Sequence, residues 1–420
     1  MKKLRSIFLV SIILISMCAQ CLAYDQLYIW QRNWDKHIEE AVASIMDTAR
    51  YFIVLCGDMK FEGEKPVITP VHIKWEYLFQ TESAATLAFR INAKASKFFS
   101  TAAVNTLADS TCSAISKMIK TVPSLEGCGI IGIQIDYDCP TSKLSDYVKF
   151  IKLIKKRFKD LEISITALPA WLDSADFPAL AASCDYYVLQ VHSFRVPDTL
   201  EEALKPFSPE VVSSWVKKAS RIGYPFYVSL PTYGYEVSFN EKGKFLGLRA
   251  ETPPIKYKPG TKHAIVVTDP WKVLSFLEEM DKKEPKHLLG FCWFRLPLIT
   301  DEFNWSIDTL RQVMTRQNPR TSIKSEIDSP QPGLFEIYVM NDGYTNVFKD
   351  IRFKVTWPKD IQVIHDVISG YKEENLPGEN GVTIIGMPPK AGNRQLVAWF
   401  RSGREDINLL KIGEVEGYEK

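Results

Sequence analysis

Between residues 130 and 138 the chain alternates with a period of two. Ile131, Ile133, Ile135 and Tyr137 fall on one side; Gly132, Gln134, Asp136 and Asp138 fall on the other. This is the pattern of a strand whose second face carries an amide and two carboxylates. Cys139-Pro140 ends it, because proline has no N–H for the ladder. Strand patterns also occur at Leu27–Gln31, Phe52–Cys56, Thr86–Ile91, Ile163–Leu168, Asp185–His192, Phe226–Leu230 and Leu288–Phe294. Helical patterns fall between them, at Trp34–Tyr51, near Lys94–Leu107, and at Leu144–Phe158, Pro209–Ile222 and Pro270–Glu279. In Leu144–Phe158 the apolar residues Leu144, Val148, Ile151 and Ile154 share one face. Eight strand signals separated by helices predict an α/β fold, a (β/α)8 barrel of the TIM type. The Gly-, Pro- and Lys-rich stretch Glu236–His263 is expected to leave the barrel after the seventh strand and pass over its mouth.

The pattern changes after residue 316. Asn-Pro, Ser-Pro and Gln-Pro-Gly punctuate residues 317–333, which read as a linker. Leu334–Met340, Ile351–Trp357, Val382–Met387 and Gln395–Phe400 then read as strands, with Asn341-Asp342-Gly343 as a turn. The expected organisation is a barrel over 24–316, a linker over 317–333 and a small all-β, sandwich-like domain over 334–420. That last unit is expected to serve mainly as a packing module, because no row of exposed aromatic residues can be identified in it.

Residues 1–23 stand apart from the fold. Lys2, Lys3 and Arg5 precede an apolar run from Ile7 to Met17, and Cys21-Leu22-Ala23 resembles a cleavage site. This predicts a secretory signal and a periplasmic or extracellular protein. Lipoprotein anchoring through Cys18 or Cys21 is the weaker expectation, because Met17 and Gln20 precede those cysteines poorly. No later stretch is apolar and long enough to span a bilayer. The formal net charge of +2 has no basic stripe within it, which argues against a nucleic-acid partner. Cys56, Cys112, Cys128, Cys139, Cys184 and Cys292 remain after the leader. Their spacing is not that of a zinc site, and it cannot choose a disulfide pattern. Cys56 and Cys292 lie in apolar runs and read as buried thiols. No phosphate-cradling glycine loop or dinucleotide fingerprint is present, so no cofactor is expected.

The candidate chemistry gathers at the strand ends, where such barrels keep their active sites. Asp136 and Asp138 share a face, with Cα atoms roughly 6.5–7 Å apart. Carboxylates that close push one proton affinity up, which yields one group able to donate and one able to stay ionised. Gln134 lies one step deeper and is expected to bond Asp136. Gln190 and His192 share a face of the sixth strand, and an inward amide and imidazole are costly unless they bind something. Tyr233 follows the seventh strand. Trp293 and Arg295 are expected on one face of the eighth, with the indole as a floor for a sugar ring. Trp30 on the first strand is a comparable wall.

The run Gly132-Ile133-Gln134-Ile135-Asp136-Tyr137-Asp138 resembles the strand-four signature of family-18 chitinases, Gly-x-Asp-x-Asp-Trp/Tyr-Glu. Leu230-Pro231-Thr232-Tyr233-Gly234 resembles that family's Val-Pro-x-Tyr-Gly segment. The resemblance places Asp138 at the proton donor and Asp136 at the acid that orients the substrate acetamide. Gln134 stands where the family has an aspartate, and Asp138 where it has a glutamate. A closer resemblance joins Tyr28-Ile29-Trp30-Gln31-Arg32, Ile135-Asp136-Tyr137-Asp138-Cys139, Ser164-Ile165-Thr166-Ala167-Leu168-Pro169-Ala170-Trp171, Leu189-Gln190-Val191-His192 and Leu230-Pro231-Thr232-Tyr233-Gly234. These motifs, in this order, are similar to an uncharacterised bacterial family, domain of unknown function 3142. The resemblance implies a secreted barrel of the glycosidase type.

Three functions follow as expectations. The first is a glycoside hydrolase acting on a polysaccharide or cell-wall glycan. Asp138 would be its general acid and Asp136 its orienting or charge-stabilising group, with substrate held by Gln134, Gln190, His192, Tyr233, Trp293, Arg295 and Trp30. The second is a carbohydrate-binding protein on a barrel that no longer cleaves. The third, ranked last, is a metal-dependent hydrolase using Asp136, Asp138 and His192.

Overall fold

The computed structural model describes residues 25–62, 65–79, 82–92, 99, 103–123, 128–191, 199, 207–250, 256–406 and 409–418. The leader 1–23 and His192 lie outside the described residues.

Eight parallel strands close on themselves. They are β1 (Gln26–Ile29), β2 (Tyr51–Glu62), β4 (Ser83–Ile91), β5 (Cys128–Tyr137), β6 (Glu162–Ala167), β7 (Tyr186–Gln190), β8 (Phe226–Pro231) and β12 (Leu288–Phe294). Each pairs in parallel with the next, and β1 pairs with both β2 and β12, which shuts the barrel. The predicted (β/α)8 architecture is present. The difference at β2 is length: the strand runs past its expected end at Cys56 and turns back through β3 (Lys65–Pro70), an antiparallel neighbour outside the barrel.

The helices form where capping and apolar spacing agree. Ser208 caps Pro209–Ile222, with proline in its first turn and Gly223 in the left-handed conformation (φ 86°) at its end. Asp269 caps Pro270–Lys283 through the amides of Trp271 and Lys272. Leu144, Val148, Ile151 and Ile154 face the barrel from Leu144–Arg157. The large core lies between these helices and the outer face of the strands, with Ile133, Ile135, Leu189, Leu230 and Trp293 among its members. A much smaller apolar set fills the barrel itself: Tyr28, Ile53, Ala88, Tyr186, Val188, Tyr227 and Cys292. Space there is tight. A Cβ on Gly132 would meet the Glu162 carbonyl at 2.9 Å and the Thr86 hydroxyl at 3.2 Å.

The excursion after β8 is a three-stranded antiparallel sheet, made of β9 (Gly234–Phe239), β10 (Phe245–Arg249) and β11 (Lys262–Val267). It is fastened by a buried guanidinium. Arg249 Nε bonds Glu236 at 2.7 Å, and its Nη atoms bond Glu302 at 2.6 and 3.1 Å.

The C-terminal region contains two four-stranded antiparallel sheets, β13-β14-β19-β16 and β17-β18-β15-β20. The strands are β13 (Ile323–Gln331), β14 (Leu334–Asn341), β15 (Ile351–Thr356), β16 (Val363–Val367), β17 (Lys372–Asn375), β18 (Gly381–Gly386), β19 (Arg394–Ser402) and β20 (Lys411–Ile412). Phe335, Ile337 and Phe400 from one sheet and Phe353, Val355 and Ile384 from the other share a core, as in a sandwich. Much of the stretch expected to be a linker is strand β13. Ile323, Ser325 and Ile327 alternate with more exposed residues there, and two prolines nearby obscured that alternation. Ser306 and Thr309 donate to the Tyr344 carbonyl, and Asn346 to that of Asn304, which ties the two parts together.

All six described cysteines are free. Cys56 and Cys292 are fully buried, as expected from their apolar runs. Among the described residues no helix is long and apolar enough to cross a membrane.

Candidate active site

The inner face of β5 supplies the carboxylates. Gly132, Gln134 and Asp136 alternate with the outward Ile133, Ile135 and Tyr137, and Asp138 follows at the rim. A cavity of about 500 Å³ opens at the C-terminal ends of the strands, with Asp136, Asp138, Gln190 and Trp30 in its wall. Thus four of the residues singled out from sequence share one chamber. Arg90, Asn92, Thr166, Tyr28, Ser229 and Phe294 complete most of the remaining wall.

The two acids are held differently. Asp136 is half-buried and accepts at Oδ1 from the Thr166 hydroxyl (2.8 Å) and from Gln190 Nε2 (3.1 Å). Burial, then the Asp138 charge, pushes its carboxyl up from the ordinary 3.8 to about 6; Thr166, Arg90 and Gln190 pull the other way. Asp138 is exposed at the rim. Loss of hydration raises its carboxyl as well, and the charge of Arg90 opposes that. The pair therefore offers an inner acid held by two donors and an outer one exposed at the rim.

Gln134 is deeper than expected and serves the floor. It is fully buried, accepts the Tyr28 phenol at 2.7 Å and donates to Ser164 at 3.3 Å. The bond to Asp136 that sequence suggested is made by Thr166 and Gln190 instead. Trp30, Tyr28 and Phe294 form an aromatic cluster, with ring centres 5.3–5.7 Å apart. Tyr233 stands behind the wall, edge-on to Phe294 at 5.9 Å.

Strand β12 corrects two placements. Trp293 faces outward, fully buried in the helix-covered core, and its indole N–H donates to Asp25 Oδ2 at 3.0 Å. Arg295 lies past the strand end, buried and paired with Asp301 at 2.9 Å. Phe294 takes the inward position between them. Both faces of Leu288–Phe294 are apolar because both are covered, so alternation alone could not choose, and the larger ring drew the assignment.

Sequence reasoning also missed Arg90 and Phe294. A signal for Arg90 existed: Thr86, Ala88 and Arg90 form the small or polar side of β4, against Leu87, Phe89 and Ile91. Cys139 is buried with its thiol pushed up to about 12, which does not favour a nucleophile. Among the described residues no group of three or more His, Cys, Asp or Glu side chains is placed to hold a metal ion; the set expected for one included His192.

Residues 104–299 match the family model described as Domain of unknown function (DUF3142). No curated protein matches the chain. Three solved structures are similar at low identity. The spore cortex-lytic enzyme SleL of Bacillus cereus has 12% identity and a TM-score of 0.47, over 70% of this chain and 74% of that one. Chitinase ChiA74 from Bacillus thuringiensis has 8% identity and a TM-score of 0.44, over 93% and 100%. The GH18 chitinase ChiB of Flavobacterium johnsoniae has 9% identity and a TM-score of 0.43, over 70% and 94%. The barrel assignment itself rests on the strand pairing. The motifs from Ile135 to Gly234 fall within the residues that match this family model, 104–299.

Proposed function

We propose that this protein is an exported glycoside hydrolase that cleaves a polysaccharide or cell-wall glycan by acid catalysis. The observation that carries the reading is the joint exposure of Asp136 and Asp138 to one chamber walled by Trp30, Tyr28 and Phe294. A pyranose lies against aromatic faces through its apolar C–H surface. Amide and hydroxyl groups, here Gln190, Thr166 and Ser229, suit its hydroxyls. Asp138, exposed at the rim, delivers a proton to the leaving oxygen. Asp136, anchored by two donors, orients the substrate or stabilises positive charge at the sugar carbon.

The test is a panel of polysaccharides and peptidoglycan fragments assayed with wild type and Asp138→Asn. Loss of about 10²- to 10⁴-fold in turnover is expected; an active Asp138→Asn enzyme removes Asp138 from the role. A second reading, glycan binding without cleavage, is favoured by one feature. Asp138 accepts no hydrogen bond among the described residues and is one methylene shorter than glutamate, which limits its reach. Glycan binding by a wild type that cleaves nothing on the panel selects it. Export is part of the proposal, and N-terminal sequencing of the mature protein tests cleavage after Ala23.

A further inference from the structure

Asp58, Arg90 and Asp136 lie in one row across three neighbouring strands. Arg90 is the register partner of Asp58 on β2 and of Asp136 on β5. Asp58 is held by Arg32, at 3.0 Å through Nε and 3.3 Å through Nη2. Its Oδ1 also sits 3.5 Å from Arg90 Nε. The row therefore reads plus, minus, plus, minus from Arg32 to Asp136. Asp58 is the more buried member, with a side chain 17% exposed, whereas Arg90 is 41% exposed and lines the chamber. An arginine tethered on one side only presents the remainder of its charge to the other side.

We propose that Arg90, anchored by the Arg32–Asp58 pair, is the positioning residue of the acid pair: from the neighbouring strand it sets the positive charge that faces Asp136 and Asp138 in their common chamber. This rests on the reading of those two acids as the catalytic pair. Among the described residues, the other groups acting on Asp136 come from four elements. Thr166 on β6 and Gln190 on β7 donate to it, Asp138 just past the end of β5 repels it, and the phenols of Tyr28 on β1 and Tyr147 on the helix outside β5 sense its charge. Among the described residues Arg90 is the cation that acts on both acids. Its charge opposes the effect of burial on both carboxyls. Asp58 acts through Arg90: its carboxylate offsets part of the guanidinium charge, so neutralising it leaves more of that charge facing the acids.

The experiment is a pH titration of the full chain with carboxyl-labelled aspartate, followed by NMR, with Asp136→Asn and Asp138→Asn giving the assignments. No substrate is needed. Arg90→Gln is expected to move the inflections of both acids upward by about one pH unit, and Arg90→Lys to return most of that shift. Asp58→Asn, a second route that leaves Arg90 in place, is expected to move them downward by less, because it removes the carboxylate that offsets the guanidinium. Unmoved inflections in folded Arg90→Gln overturn the proposal. If that variant does not fold, unmoved inflections in Asp58→Asn do so. Once a substrate is known, the acidic and basic limits of kcat should move with the titration. A change in KM alone would make Arg90 a substrate contact and end the proposal. A shifted titration in a protein that cleaves no glycan leaves the coupling standing and removes the hydrolase reading, so the two failures are separable.

Discussion

Asp136 is the residue whose charge costs the fold most visibly. Its folded value of about 6 lies above the ordinary 3.8, so the folded chain binds that proton more tightly than the unfolded one. Stability therefore falls as pH rises through the window from about 4 to about 6. The shift corresponds to about 3 kcal/mol, reduced to about 2 kcal/mol by partial solvent screening. Asp136→Asn keeps an oxygen that can accept from Thr166 and Gln190 and removes the charge. It should be more stable than wild type by about 2 kcal/mol at pH 7 and equal to it below pH 4, as read from denaturant midpoints at each pH. A second pair of variants separates wall from core. Phe294→Ala should weaken glycan binding about tenfold, measured by calorimetry on whichever glycan binds. Trp293→Phe, which strands one oxygen of Asp25, should leave binding unchanged and cost about 1–2 kcal/mol of stability. The opposite outcome would mean that the indole, not the phenyl ring, faces the chamber.

At the scale of elements, legibility followed the difference between the two faces of a strand. On β5 one face is apolar and the other polar, so Asp136, Asp138 and Gln134 could all be placed on the inner side from sequence. On β12 both faces are apolar, and the choice between Trp293 and Phe294 was undetermined. On β2 the polar residue that matters, Asp58, lies beyond a register shift between Leu55 and Gly57; a bulge resets the alternation on which such reading depends. The helices, punctuated by Ser208-Pro209 and Asp269-Pro270, were visible because their caps are local. The small sheet β9–β11 was not, because its fastening is remote: Arg249 reaches Glu302 across 53 positions. Arg249→Met takes the guanidinium from the buried Glu236 and should cost about 3 kcal/mol. Hydrogen exchange should then quicken in β9–β11 ahead of the barrel strands; uniform loss of protection would show that this sheet is not a separate unit of stability.

At the scale of the molecule, two apolar cores share no residue. A chain of residues 318–420 expressed alone should fold and melt cooperatively by circular dichroism, since Phe335, Ile337, Phe353, Ile384 and Phe400 enclose one another without the barrel. The barrel has its own asymmetry. Beneath the acids, the Tyr28 phenol donates to the Gln134 carbonyl oxygen, and the Gln134 amide nitrogen donates to Ser164, so one chain of bonds crosses from β1 through β5 to β6. An amide in the middle of such a chain does not hand protons along as a file of hydroxyls or waters can. The floor thus insulates. Hydrogen ions taken up or released by Asp136 must come and go by way of the open end, the same route a sugar would use, and a bound ligand would therefore seal the acid from bulk solvent while the reaction runs.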